Sequence, residues 1–165
     1  MKSEKTIEIL KTAILLERKG KAFYSHVATQ AKDEDVKEFF QMMADEEDEH
    51  ISFLTDQYQN FVKNDNFTKV EFKHEDTTDE EILTEKVKTK IENASFESAA
   101  ISSAIDMENR AIKVYSERAE SATDQEEKDF YTFLADWERG HNKILHEIDK
   151  ALQDRVWNDN NFWPF

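Results

Sequence analysis

The chain carries one pattern twice. At an offset of 91 residues and with no gap, positions 13–50 align with 104–141, and 14 of the 38 pairs are identical. Ala13-Ile14 and Glu17 match Ala104-Ile105 and Glu108; Tyr24-Ser25 and Ala28 match Tyr115-Ser116 and Ala119. Asp33, Lys37 and Phe39 match Asp124, Lys128 and Phe130. Ala44-Asp45, Glu47 and His50 match Ala135-Asp136, Glu138 and His141. The offset is thirteen heptads, so a helical core face keeps its register from one half to the other. The two halves therefore adopt one local fold and meet through equivalent faces.

That local fold is a helical hairpin. Apolar residues at spacings of three, four and seven predict a helix over 3–31 along Ile7, Leu10, Ile14, Glu17, Tyr24 and Ala28. A second, over 34–61, runs along Val36, Phe40, Met43, Glu47, His50, Leu54 and Phe61. A third, over 96–122, has Ile101, Ile105, Glu108, Ile112, Tyr115 and Ala119; a fourth, over 125–154, has Tyr131, Leu134, Glu138, His141, Leu145, Ile148 and Leu152. Ser3 or Thr6, Asp33, Ser95 and Asp124 are the expected caps. Residues 62–78 lose the period and gather Asn, Asp and Thr; a short helix follows from Thr78 to about Glu92. The whole segment 62–94 suits a crossover running the length of a bundle. The expected fold class is all-α, a four-helix bundle over 1–154 built of two hairpins. An aromatic tail over 155–165, with Trp157, Phe162, Trp163 and Phe165, either folds back on the bundle end or makes a subunit contact.

Polar residues occupy the apolar seam at six places: Glu17, Glu47, His50, Glu108, Glu138 and His141. Glu and His three apart share a helix face and can grip one ion. Glu17 precedes Glu47 by thirty residues, and Glu108 precedes Glu138 by thirty. In hairpins folded near residues 32 and 123, all six side chains come to one level of the core. Burying four carboxylates without cations costs too much hydration energy. Two divalent ions meet the need, and carboxylate with imidazole suits Fe, Mn or Zn. A Glu from each of two helices and a Glu-x-x-His from each of the other two is the donor set of dimetal carboxylate bundles.

Composition narrows the rest. The chain has no Cys, which excludes thiolate sites, disulfides and Cys nucleophiles. Its net charge of −15 argues against nucleic acid and against anionic membranes as partners. No apolar run approaches the ~20 residues of a membrane span, and Met1-Lys2-Ser3-Glu4-Lys5 is unlike a signal peptide, so a cytoplasmic location is expected.

These motifs resemble the ferritin-like proteins, and within them the rubrerythrin-like group. The signatures are Ala13-Ile14-Leu15-Leu16-Glu17 with Phe23-Tyr24, Ala44-Asp45-Glu46-Glu47-Asp48-Glu49-His50, and Ala104-Ile105-Asp106-Met107-Glu108 with Tyr115, and the resemblance spans about residues 5–150. It implies Glu17, Glu47, His50, Glu108, Glu138 and His141 as ligands of two Fe ions, with Glu47 and Glu138 bridging by helical equivalence. It also implies Tyr24 and Tyr115 as hydrogen-bond donors to ligand carboxylates. Two departures stand out. Rubrerythrins with a Cys-rich rubredoxin domain carry their own electron donor; this chain has no Cys, so its reductant is another protein or molecule. Such proteins also have an extra carboxylate one turn from the third-helix Glu, where this chain has Ile105 and Ala111.

The resemblance thus implies an oxidoreductase of the peroxidase or ferroxidase kind, meeting peroxide or dioxygen, drawing on an external electron donor, and forming a homodimer. Iron binding or storage without turnover is the second reading. A partner-binding acidic bundle, acting through Trp157 and the tail, is the third. Gly20 and Ala111, each three residues past a seam Glu, are expected to leave room beside the ions. His26, His74 and His146 are expected to stay off the site.

Overall fold

The computed structural model describes residues 2–71, 78–92 and 95–159. They form five helices and, among the described residues, no strand: α1 Lys2–Gln30, α2 Glu34–Asn64, α3 Thr78–Lys88, α4 Phe96–Ser121 and α5 Gln125–Asp159. The architecture is the expected all-α, ferritin-like bundle.

Three of the predicted caps are in place. Asp33 Oδ1 accepts from the backbone N–H of Asp35 and Val36 at 2.9 and 3.2 Å. Ser95 Oγ accepts from Ser98 N at 3.1 Å, and Asp124 Oδ1 from Glu127 N at 2.8 Å. Each satisfies an amide that the first turn leaves without a partner. The start of α1 differs from expectation, because Ser3 and Thr6 both lie inside the helix. Thr6 is buried, and Arg118 Nη2 donates to its hydroxyl at 3.4 Å. Helix α2 runs past 61 because Asn60 and Asn64 hydrogen-bond along it, and it stops at Asp65, whose φ of 55° is left-handed. Helix α5 continues beyond 154 because Arg155 donates to the carbonyls of Thr89 and Ile91, tying its last turns to the crossover. Trp157 sits on that extension and is half exposed. Phe162, Trp163 and Phe165 lie outside the described residues.

Cross-helix contacts fix the topology. Lys21 meets Asp48 and Glu17 meets His50, so α1 and α2 are antiparallel. Arg139 meets Ser116 and Arg118 meets Glu127, so α4 and α5 are too. Tyr24 meets Glu108 while Thr6 meets Arg118, so α1 and α4 also run opposite ways. It follows that α2 and α4 point in the same direction, and the crossover must return the chain along the bundle. Phe67 begins that return at one end, packed on Phe61, Phe130 and Tyr131. Leu83, Val87 and Ile91 finish it at the other, in one cluster with Val36, Phe39 and Leu152.

The core is deeper than the predicted stripes. Ile14, Ile105 and Ile112 are only half-buried, whereas Ala13, Ala104 and Ala111 are buried. On these stretches of α1 and α4 the buried positions are taken by small residues, and the isoleucines beside them stay partly exposed.

One pair of positions separates the two halves energetically. Val27 and Val36 in the first hairpin correspond to Arg118 and Glu127 in the second. The valines are core residues, while Arg118 Nε donates to Glu127 Oε1 at 2.6 Å in a nearly buried pair. Losing one partner of such a pair costs about 3–5 kcal/mol, while a well-packed apolar pair is often neutral or better. Arg118→Val alone should therefore lower stability by about that amount in a urea melt. Arg118→Val with Glu127→Val should recover most of it.

Candidate metal centre

Each half contributes its lone Glu from the first helix and its Glu-x-x-His from the second. Glu17 lies on α1, Glu47 and His50 on α2, Glu108 on α4, and Glu138 and His141 on α5. All six are buried, none more than 3% exposed. The structure brings them together as two overlapping clusters. Glu17, Glu47, His50 and Glu138 each offer a donor atom within 4.8 Å of the others; so do Glu47, Glu108, Glu138 and His141. Glu47 and Glu138 belong to both clusters, which is the geometry of carboxylates lying between two centres.

The histidines face inward through Nδ1. His50 Nδ1 stands 3.0 Å from Glu138 Oε1, 3.2 Å from Glu17 Oε2 and 3.3 Å from Glu47 Oε2. His141 Nδ1 stands 3.3 Å from Glu138 Oε2, 3.5 Å from Glu108 Oε1 and 3.8 Å from Glu47 Oε1. Both Glu138 oxygens and His141 Nδ1 are buried and make no hydrogen bond. Buried polar atoms without partners are costly, so these atoms fit a ligand of another kind. A hard-to-borderline divalent cation matches the donor set of carboxylate oxygen and imidazole nitrogen.

The tyrosines cross between halves. Tyr24 donates its hydroxyl to Glu108 Oε1 at 2.5 Å, and Tyr115 donates to Glu17 Oε1. Each hairpin thus orients the outer carboxylate of the other. Tyr24 stacks on Phe40, and Tyr115 stacks on Tyr131, the residue equivalent to Phe40.

Glu46 belongs with the site although its sequence position gave no sign of it. His141 Nε2 lies 2.6 Å from Glu46 Oε2. The only available signal was a break in the repeat, since Glu46 corresponds to Trp137. Trp137 packs edge-on against His50, with ring centres 4.2 Å apart. Gly20 is buried beside Glu47, and a Cβ there would meet the Glu47 Cδ at 3.5 Å. His26 and His146 are exposed, and His74 lies outside the described residues.

Without a cation, the six groups shift one another's protonation. Burial raises the Glu138 carboxyl, and the Glu17 and Glu108 charges raise it further, to about 8. Burial and the Glu138 charge likewise push Glu47 well above the ordinary range. Burial opposes ionisation of Glu17, yet Glu47, His50 and Tyr115 together outweigh it and pull Glu17 down to about 2. Glu108 is also held low, burial being outweighed by Glu138, His141 and Tyr24. Burial disfavours both imidazolium ions, but the carboxylates around them raise His50 and His141 well above the ordinary value. These directions divide the cluster: Glu17 and Glu108 are favoured as carboxylates, while Glu47 and Glu138 are pushed toward the protonated form and both rings toward imidazolium. Divalent cations would compete with those protons for the same groups.

The sign of the pH effect follows. The raised Glu138 contributes stability that is full below 4.5 and lost as pH rises through about 8. The raised histidines act in the same sense. The lowered Glu17 contributes stability present above 4.5 and lost as pH falls through about 2. The metal-depleted protein should therefore lose thermal stability on raising the pH from 5 to 9, and ion binding should remove that alkaline loss. Loading at neutral pH should release protons, read by calorimetry in buffers of different ionisation enthalpy.

Comparison with known proteins agrees with this geometry. The profile of the family described as Rubrerythrin matches residues 8–148. A solved structure, a hypothetical protein, Pfu-1136390-001, from Pyrococcus furiosus, is similar at a TM-score of 0.64 and 25% identity, covering 90% of each chain. No curated protein sequence matches the chain. With that profile covering both hairpins and all six buried carboxylate and imidazole groups, the chain belongs to the rubrerythrin family.

Proposed function

We propose that the chain is a non-haem di-iron redox protein that reduces peroxide, or oxidises ferrous iron with dioxygen or peroxide. The observation that carries this reading is the pair of four-donor clusters sharing Glu47 and Glu138, with both Glu138 oxygens left without hydrogen bonds. Glu17 and His50 would hold one ion, Glu108 and His141 the other, and Glu47 and Glu138 would lie between them. Two ferrous ions so held would supply the two electrons that cleavage of a peroxide O–O bond requires.

The chain's own residues do the positioning. Tyr24 and Tyr115 fix the outer carboxylates. The buried walls exclude bulk water, and Gly20 leaves space next to Glu47. Electrons for repeated turnover come from an external donor, since the chain has no Cys to hold a redox centre of its own. Among the described residues no helix is long and apolar enough to cross a membrane.

A second reading, iron binding without turnover, is favoured by one observation. Ile105 and Ala111 flank Glu108 one turn away on either side, so α4 offers no second carboxylate at those positions to change places as the ions change charge. Anaerobic ferrous titration followed by peroxide with a reductant separates the two. Two ions per chain and many peroxide molecules consumed per site support the redox protein; a single stoichiometric oxidation supports storage. Glu47→Ala and Glu138→Ala each remove a group common to both clusters, so each should abolish the paired binding, whereas failure of wild type to bind any iron would sink both readings.

Gly20 offers a separate check. Gly20→Ala places its Cβ at ordinary contact distance from Glu47 and should be tolerated. Gly20→Leu should keep the helical content, read by circular dichroism, and slow the reaction of bound ferrous iron with peroxide. Unchanged peroxide kinetics in that variant would rule out access beside Glu47.

A further inference from the structure

The two hairpins agree at every one of the six central residues and disagree beside them. The residue before the second-helix Glu is Glu46 in one half and Trp137 in the other. Each reaches the histidine of the opposite half. Glu46 Oε2 lies 2.6 Å from His141 Nε2. Trp137 lies edge-on to His50 at 4.2 Å, and His50 Nε2 is buried with no hydrogen-bond partner. Trp137 is itself packed against Phe133 and Phe53, with ring centres 5.4 and 6.3 Å away.

The difference has a chemical consequence for any ion held at Nδ1. A carboxylate on the outer nitrogen keeps the proton there, leaves the lone pair on Nδ1, and makes that nitrogen a stronger donor. His141 has this partner. His50 does not: Glu17, Glu47 and Glu138 all meet its Nδ1, its buried Nε2 has no hydrogen-bond partner, and the Trp137 ring packs against it. Its polar partners among the described residues all lie on Nδ1, the side an ion would take, and none holds the proton on Nε2.

We infer that the two ion positions are unequal and fill in order. The position of Glu108 and His141 is the tight one, made so by Glu46 as a positioning residue. The position of Glu17 and His50 is weaker and exchanges more readily, and Trp137 reports its filling. This rests on the two-ion reading above. In functional terms, one ion is resident while the other is the one that enters and leaves.

The test is anaerobic titration of the metal-depleted chain with Co²⁺, following visible absorbance for ions bound and tryptophan emission for the His50 side. Absorbance should rise in two resolved steps, with emission falling mainly in the second. Trp137→Phe should remove the emission change and keep both absorbance steps, which assigns the signal against Trp157 and Trp163. Glu46→Gln is nearly isosteric at a half-buried position; it should weaken the tighter step by about 10–100-fold and leave the weaker one in place. Trp137→Glu should strengthen the weaker step by giving His50 an outer carboxylate. Two equal steps in the wild type, emission falling with the first ion, or a Glu46→Gln effect confined to the weaker step would overturn the inequality alone. No Co²⁺ absorbance at all would overturn the two-ion reading itself.

Discussion

Four carboxylates buried at one level of a helical core are the constraint on which the structure turns. Such a cluster cannot hold four negative charges in a medium that solvates ions poorly. It is neutralised either by protons or by cations, and the same six residues serve both purposes. Protons are drawn to Glu47, Glu138, His50 and His141, all raised above their ordinary values. Divalent ions would take the place of those protons. That competition is why loading is expected to be coupled to pH.

The packing around the centre serves to hold its donors at fixed spacing. Ala13, Ala104, Ala111 and Gly20 are small, buried residues of α1 and α4. Between those two helices Tyr24 reaches Glu108 and Tyr115 reaches Glu17. These two hydrogen bonds lie across the interface between hairpins, so neither hairpin can complete its own half of the site. The duplication is thereby locked into one molecule: each half supplies three of the six central groups and also the clamp for the other half's outer carboxylate.

Much of this was legible in the sequence, because a repeat of fixed offset carries both register and chemistry. Period and caps located the helices to within a few residues, and the thirty-residue spacing placed Glu17 level with Glu47 and Glu108 level with Glu138. What was hidden depended on relations between helices that no single stripe encodes. Periodicity selects Ile14 and Ile105 by hydrophobicity, yet the deepest positions belong to their smaller neighbours Ala13 and Ala104. It marks Tyr24 and Tyr115 as facing inward without saying that each serves the opposite half. It says nothing of Glu46, which lies on an otherwise ordinary acidic face. Nor does it show why α5 runs to Asp159, since the reason is Arg155 gripping carbonyls sixty-odd residues away.

Where the halves part company is as informative as where they agree. Identity is complete at the centre and lapses just outside it: Val27 and Val36 become Arg118 and Glu127, Gly20 becomes Ala111, and Glu46 becomes Trp137. The first change affects a supporting wall at one end of the bundle. The other two touch the immediate surroundings of the six donors. A perfectly twofold cluster would offer an arriving ion two indistinguishable positions and an oxidant two indistinguishable faces. Gly20 leaves space beside one shared carboxylate, while Trp137 packs against one histidine and Glu46 braces the other. A symmetric set of donors thus acquires a direction from asymmetric neighbours. Direction is what a site needs if one ion is to stay while another comes and goes.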